Sequence, residues 1–273
     1  MVVATHSSEF LIGCVEAVAE TQIVRLTFDR ELNSIAGTGT ARSLASSDVT
    51  AMVNDPLLRS TDVLRALFHK AAVITEADAD RAFYDEMNRR LRTDGRGLRD
   101  TLFLNAQNKD TVHRLVGPLR RLGVPAVALT DLDALNLVTG AWENLVTACQ
   151  IPSSRWSALD EERNYLWSIF RALPETAPGK KAIHSQGIRA LTAPDRARAT
   201  ALLAEVAQYG LFLVPNGALE TWLAHLGVQG SKQDWLPRIF ERIGGLMPSN
   251  DDVWTFIDQI AGWVNDRDRL GLM

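Results

Sequence analysis

The chain has 273 residues, 46% apolar and 23% charged, enough to bury a sizeable core in one large domain or two modest ones. A net charge of −4 excludes a global basic field, so any polyanionic partner must be met by local patches such as Arg89, Arg90, Arg92, Arg96 and Arg99, or Lys180, Lys181, Arg189, Arg196 and Arg198. Cys14 and Cys149, the only cysteines, have neither metal-ligand spacing nor a disulfide framework, and no apolar run reaches membrane-spanning length. A reducing cytoplasm, no signal peptide and no membrane partner are expected.

In chain order, Met1 to Ala4 reads as a buried strand that breaks at Thr5-His6-Ser7, with Ser7 or Ser8 capping a helix. Residues 21–28 are β-branched and partly alternating, a strand. A turn is expected over 29–33, a short strand or loop over 34–40, and a small, polar linker over 41–47. Residues 48–54 and 57–70 read as helices broken at Asp55-Pro56.

From Ala71 strands alternate with helices. Residues 72–75 form the first strand of this region, 78–92 a helix, 101–105 a second strand, 110–122 a helix that Pro118 should kink or split, and 124–130 a third strand. Gly123 is a natural helix stop. This βαβαβ order predicts a mostly parallel sheet flanked by helices. Residues 142–208 contain no convincing strand and read as helices, with Trp156, Leu166, Trp167 and Phe170 as core candidates and Pro174, Pro178 and Gly179 as interruptions. A fourth strand follows at 211–214, then helices over 219–226, 235–243 and 253–264.

In an open parallel sheet, ligands bind beyond the carboxyl ends of the strands. Glu76 ends the first strand, Asn105, Gln107 and Lys109 follow the second, Asp131 and Asp133 end the third, and Glu220 follows the fourth. Asp80 lies one helical turn after Glu76. Carboxylates so gathered raise one another's pKa values, and a divalent cation removes the conflict. Hard oxygen ligands suit Mg²⁺, Mn²⁺ or Ca²⁺. Two such ions, about 3.5–4 Å apart, form a clamp for phosphodiester cleavage. Each element also has a plainer reading: Glu76 and Asp80 as acids favoured by a helix dipole, Asp131-Leu132-Asp133 as an ordinary loop.

Glu76-x-x-x-Asp80, with Asp131-Leu132-Asp133 at the end of a later strand, resembles the Toprim pattern of topoisomerases, primases and OLD-family (overcoming lysogenisation defect) nucleases. Phe83-Tyr84, the 106–112 stretch Ala-Gln-Asn-Lys-Asp-Thr-Val, Leu122-Gly123-Val124-Pro125, and the 213–220 stretch Leu-Val-Pro-Asn-Gly-Ala-Leu-Glu are similar to the OLD-like branch. The Thr5-His6-Ser7 run resembles the switch-histidine loop of the ABC-type ATPase that precedes the Toprim domain in that family.

The resemblance implies an α/β Toprim fold with an inserted helical domain and an N-terminal ATPase tail: 1–47 ATPase remnant and linker, 48–136 Toprim first part, 137–208 insertion, 209–273 Toprim second part. It implies Glu76, Asp80, Asp131, Asp133 and Glu220 as ligands of two Mg²⁺, Mn²⁺ or Ca²⁺ ions. Glu76, Asp131 and Lys232 would be catalytic, Lys232 by stabilising charge on the phosphate. Lys109, Arg89 and Arg90 would contact DNA, the expected partner along with the ATPase region. The sequence has no Walker loop, so ATP is not expected to bind this chain alone, and His6 would serve nucleotide only with the missing ATPase part of a longer protein. One departure is Ala77, where Toprim domains usually have glycine after the first glutamate.

Two further readings compete with a metal-dependent nuclease. One is a non-cleaving Toprim-like module that binds metal or DNA and regulates an ATPase. The other is an Asp-x-Asp phosphotransferase of the haloacid-dehalogenase type, which is disfavoured because the pair ends the third strand and is followed by Leu135 where Thr or Val is expected.

Overall fold

The computed structural model describes residues 2–18, 20–30, 37–56, 63–176, 181–228, 230 and 232–272. Residues 2–7 form no regular element and Val2 and Val3 are exposed, so the strand expected at the start is absent there: no neighbouring strand of the described chain pairs with it. Ser7 does cap helix α1 (Ser8–Ala17), its hydroxyl accepting the Phe10 N–H at 3.1 Å.

Strands β1 (Ile23–Arg30) and β2 (Gly37–Leu44) make an antiparallel hairpin with eight paired positions, from Ile23 opposite Leu44 to Arg30 opposite Gly37. This corrects the linker expected over 41–47: Ala41 to Leu44 are strand, and helix α2 (Ser46–Asn54) begins two residues later. The turn and strand-or-loop expected over 29–40 fall partly outside the described residues. So do the first residues of the helix expected over 57–70, and Val63–Phe68 is a 3-10 helix. The Arg25 guanidinium donates to the carbonyls of Leu67 (3.0 Å), His69 (3.0 Å) and Gly123 (2.8 Å). It thereby fastens the hairpin to the N-terminal ends of the strands that follow.

Those strands are β3 (Ala71–Thr75), β4 (Thr101–Asn105), β5 (Ala126–Thr130) and β6 (Leu211–Leu213), all parallel and ordered β4-β3-β5-β6. β3 and β5 are buried along their whole length because helices cover both faces. Ala72, Ile74, Ala126 and Ala128 face one core, together with helix α4 (Val112–Arg121) and the N-terminal unit. Val73, Val127 and Leu129 face the other, with α3 (Asp78–Thr93), α9 (Lys232–Ile243) and α10 (Asp252–Asn265). Helix α4 runs unbroken through Pro118 and stops at Gly123 (φ 71°), where Val124 N–H bonds the Leu119 carbonyl at 3.0 Å.

Between β5 and β6 lie α5 (Thr139–Ala148), α6 (Ser153–Ala172), α7 (Ala182–Ser185) and α8 (Ala193–Ala207). Leu145, Leu166, Phe170 and Val206 from this segment share the α4-side core, whereas Trp156 and Trp167 are only partly buried against it. Pro178 and Gly179, expected to interrupt the helices, lie outside the described residues. The helix expected over 219–226 is instead two 3-10 turns, Leu219–Thr221 and Ala224–Leu226, because Leu223 and Gly227 adopt positive φ (52° and 67°). Among the described residues no helix is long and apolar enough to cross a membrane.

Candidate metal centre

Strand order fixes where the acids meet. From β3 the chain goes outward to β4 and then returns to β5 on the other side, so the crevice between the β3 and β5 ends is the topological switch point. Continuing the β3–β5 register two residues past Ile74 opposite Ala128 brings Glu76 alongside Thr130, next to Asp131. A Glu76 carboxylate oxygen accepts the Asp131 N–H at 2.9 Å. Asp80 is only 4% exposed, on the first turn of α3. Ala77, at the N-terminal cap of that helix, has φ −143°, an extended conformation any residue adopts, so this turn does not require glycine.

Electrostatics follow from this crowding. Burial first, then the charges of Asp131 and Asp133 and, less, that of Asp80, together push the Glu76 carboxyl up to about 8, with the Asp131 N–H pulling the other way. Lys109, from the turn after β4, reaches across the rim and donates to an Asp133 carboxylate oxygen at 2.8 Å. Tyr84, one turn beyond Asp80 on α3, is buried and accepts the Trp222 indole N–H at 2.9 Å. Burial holds its phenol well above the ordinary value, with the Asp131 charge the next cause.

The acidic turn is braced from the insertion. Arg163 of α6, 2% exposed, donates to the carbonyls of Leu135 (2.8 Å) and Leu137 (2.6 Å), pairs with Asp160, and lies over the Trp142 ring. Leu132 N–H bonds the Gly217 carbonyl at 3.0 Å, linking the turn after β5 to the loop after β6.

The remaining expected site residues are placed less closely. Glu220 lies in the 3-10 turn Leu219–Thr221, partly exposed, and is not among the charges acting most strongly on Glu76. Lys232 is the first residue of α9, which packs on that turn. Arg89 and Arg90 sit nine and ten residues beyond Asp80 along α3, about 13–15 Å further from the rim at 1.5 Å per residue. Both pair with Glu86, and Arg90 also donates to the Gly244 carbonyl at 2.9 Å. His6 is exposed just before α1, which packs on α2 and the 3-10 helix Val63–Phe68, at the end of the chain that feeds into the N-terminal side of β3.

Among the described residues no three His, Cys, Asp or Glu side chains form a ready-made metal cage. The donor chemistry nonetheless fits a hard divalent ion: Glu76, Asp80, Asp131 and Asp133 are all oxygen donors, and burial, together with the charges of its acidic neighbours, keeps Glu76 protonated near neutrality. Sequence reasoning did not single out Tyr84 or Arg163 as parts of this neighbourhood. Tyr84 carried a signal, since it shares a helix face with Asp80 four residues earlier. Arg163 carried none, because an arginine within a charged helix reads as solvated.

No protein of curated function matches the chain. Residues 67–133, from just before β3 to Asp133, match the family described as overcoming lysogenization defect protein-like, TOPRIM domain, so this stretch of the chain is an OLD-like Toprim region.

Proposed function

We propose that the chain is a metal-dependent DNA endonuclease, the nuclease part of an OLD-family protein. Toprim regions generally bind divalent metal ions and act in nucleic-acid chemistry. The observation that carries the finer reading is the convergence of Glu76 with the Asp131–Asp133 turn at the switch point, tied by the 2.9 Å bond from Asp131 N–H. Glu76, Asp80, Asp131 and Asp133 would hold Mg²⁺ or Mn²⁺, with Glu220 from the neighbouring loop, and bound ions supply acidity to the attacking water and charge stabilisation at the leaving oxygen. As a metal ligand Glu76 would have to be deprotonated, and the Asp131 N–H would keep its carboxylate aimed across the crevice. Were Asp133 to serve as a metal ligand, Lys109 would be free to contact a phosphate oxygen, with Lys232 as a second cation for the phosphate.

In this reading residues 1–47 are the tail of an ABC-type ATPase, 48–136 and 209–273 build the Toprim domain, and 137–208 are an insertion. His6 then serves nucleotide only in the company of that ATPase. A regulatory, non-cleaving module is the second reading, and the Lys109–Asp133 ion pair favours it by occupying one of the proposed ligands. Nicking of supercoiled plasmid in Mg²⁺, Mn²⁺ or EDTA separates the two. Metal-dependent nicking lost in both Glu76→Ala and Asp131→Ala establishes the nuclease. Undiminished nicking by either variant refutes the assignment, and no nicking by folded protein, alone or extended at its N-terminus, leaves the regulatory module.

A further inference from the structure

The insertion presents a basic edge to the acidic rim. Its short helix α7 touches both acid-bearing turns, Leu132–Asn136 after β5 and Leu219–Thr221 after β6. Two glycines let the backbones meet this closely. A Cβ at Gly217 (φ 110°) would lie 2.2 Å from the Ile183 carbonyl oxygen, and one at Gly187 (φ 56°) 2.1 Å from that of Pro215. The Ile188 N–H bonds the same Pro215 carbonyl at 2.9 Å, and the Gly217 carbonyl takes the Leu132 N–H at 3.0 Å. A continuous run of backbone contacts therefore joins the Asp131–Asp133 turn to α7.

Lys181 and Arg189 flank this interlock, one at the start of α7 and the other in the 3-10 turn Gly187–Ala190, and both are exposed. Of the other arginines on the insertion, Arg155 pairs with Glu205, Arg163 with Asp160 and Arg198 with Glu162, and Arg196 donates to the Arg189 and Leu191 carbonyls; Arg171, in the last turn of α6, has no carboxylate partner among the described residues. Among the described residues the side chains of Lys181 and Arg189 have no carboxylate partner. Uncompensated cations thus occur on the insertion where it adjoins the rim, in a chain whose net charge is negative.

We propose that Lys181 and Arg189 form a phosphate-contacting surface that holds a DNA backbone beside the acidic rim. The inference rests on the nuclease reading and names where its substrate lies. Two cations on a locked backbone suit the sequence-independent register contacts made to phosphates, and they offset the repulsion that the carboxylates exert on a polyanion.

The test is anisotropy of a fluorescein-labelled DNA duplex titrated with the whole chain in EDTA, across a series of NaCl concentrations. Native protein is compared with the Lys181→Ala/Arg189→Ala double variant, with single Lys181→Gln, and with Arg155→Ala/Arg198→Ala as a control that removes paired cations. Loss of two phosphate contacts lowers the log-log salt slope by about 2 and the affinity at 0.1 M NaCl by roughly 50-fold; Lys181→Gln lowers the slope by about 1, and the control leaves it unchanged. An unchanged slope in the folded double variant, or an equal fall in the control, overturns the inference. Plasmid nicking, measured in parallel, judges the nuclease reading separately: native protein that nicks while the double variant keeps full affinity refutes only the surface, native protein that does not bind DNA refutes the surface, and failure to nick both alone and extended at its N-terminus refutes the nuclease reading.

Discussion

The Glu76 carboxyl makes the metal-free protein's stability depend on pH in an unusual direction. Its ordinary value is 4.5 and the fold raises it to about 8, through burial and then the charges of Asp131 and Asp133. Between these values the folded protein keeps a proton that the unfolded chain has lost. The unfolding free energy therefore falls by about 1.4 kcal/mol for each pH unit from 4.5 upward and levels off above 8. Over the whole window this is on the order of 5 kcal/mol, a large part of a typical domain's stability. Glu76→Gln keeps an oxygen to accept the Asp131 N–H but cannot ionise, so the contribution disappears. Urea denaturation in EDTA at pH 5, 6, 7, 8 and 9, native against variant, reads the difference directly. The native protein should lose stability relative to Glu76→Gln as pH rises to 8 and run parallel to it beyond. A difference that stays constant over this range would refute the argument that Glu76 is crowded and desolvated. Mn²⁺ binding below pH 8 should also release a proton that the variant does not release.

Arg163→Ala leaves the Leu135 and Leu137 carbonyls without this donor and Asp160 with only Asn164; we expect a loss of about 3–5 kcal/mol in urea denaturation and weaker Mn²⁺ binding by calorimetry, since the turn carrying Asp131 and Asp133 loses its brace. Arg163→Lys should recover little, because one ammonium cannot reproduce the forked contacts. Tyr84→Phe removes the acceptor of the buried Trp222 N–H and should cost about 1–3 kcal/mol by the same measurement. Gly217→Ala drives a Cβ into the Ile183 carbonyl at positive φ; a loss of roughly 3 kcal/mol or more is expected, with a fall in plasmid nicking as the two acid-bearing turns separate.

How legible the fold was depended on burial. β3 and β5 are apolar on both faces, so they stand out as uninterrupted runs, and the acids are conspicuous as the first charges after each run. Helix α3 shows its inward positions Phe83, Met87 and Leu91 at helical spacing. β2 was legible only as a strand or loop up to Thr40 and its second half read as a linker, because Ala-Arg-Ser has no apolar alternation of its own; its strand state comes from the ladder with β1. The roles of the basic residues were equally hidden. Arg89 and Arg90 look in sequence like a phosphate patch, yet Arg90 is held by Glu86 and the Gly244 carbonyl, whereas Lys181 and Arg189 have no carboxylate partner among the described residues. Charge is local in sequence, but its compensation is set by the fold: the Lys109–Asp133 pair joins turns from different crossovers.

That pair also bears on why the rim is built as it is. Four carboxylates, Glu76, Asp80, Asp131 and Asp133, share one crevice, and the Lys109 ammonium there donates its hydrogen bond to Asp133. Asp80 and Glu76 are taken largely out of water, where an ionised acid is costly. A fold selected for stability alone would place apolar or neutral groups at Asp80, since the neighbouring Phe83, Tyr84 and Met87 already pack there. The arrangement instead keeps negative charge concentrated at the one point of the sheet where strand order opens a crevice, and braces it by backbone contacts from two further segments. Such crowding is relieved either by the proton that Glu76 keeps near neutrality or by a cation that displaces it, which ties this costly feature of the fold to the chemistry proposed for it.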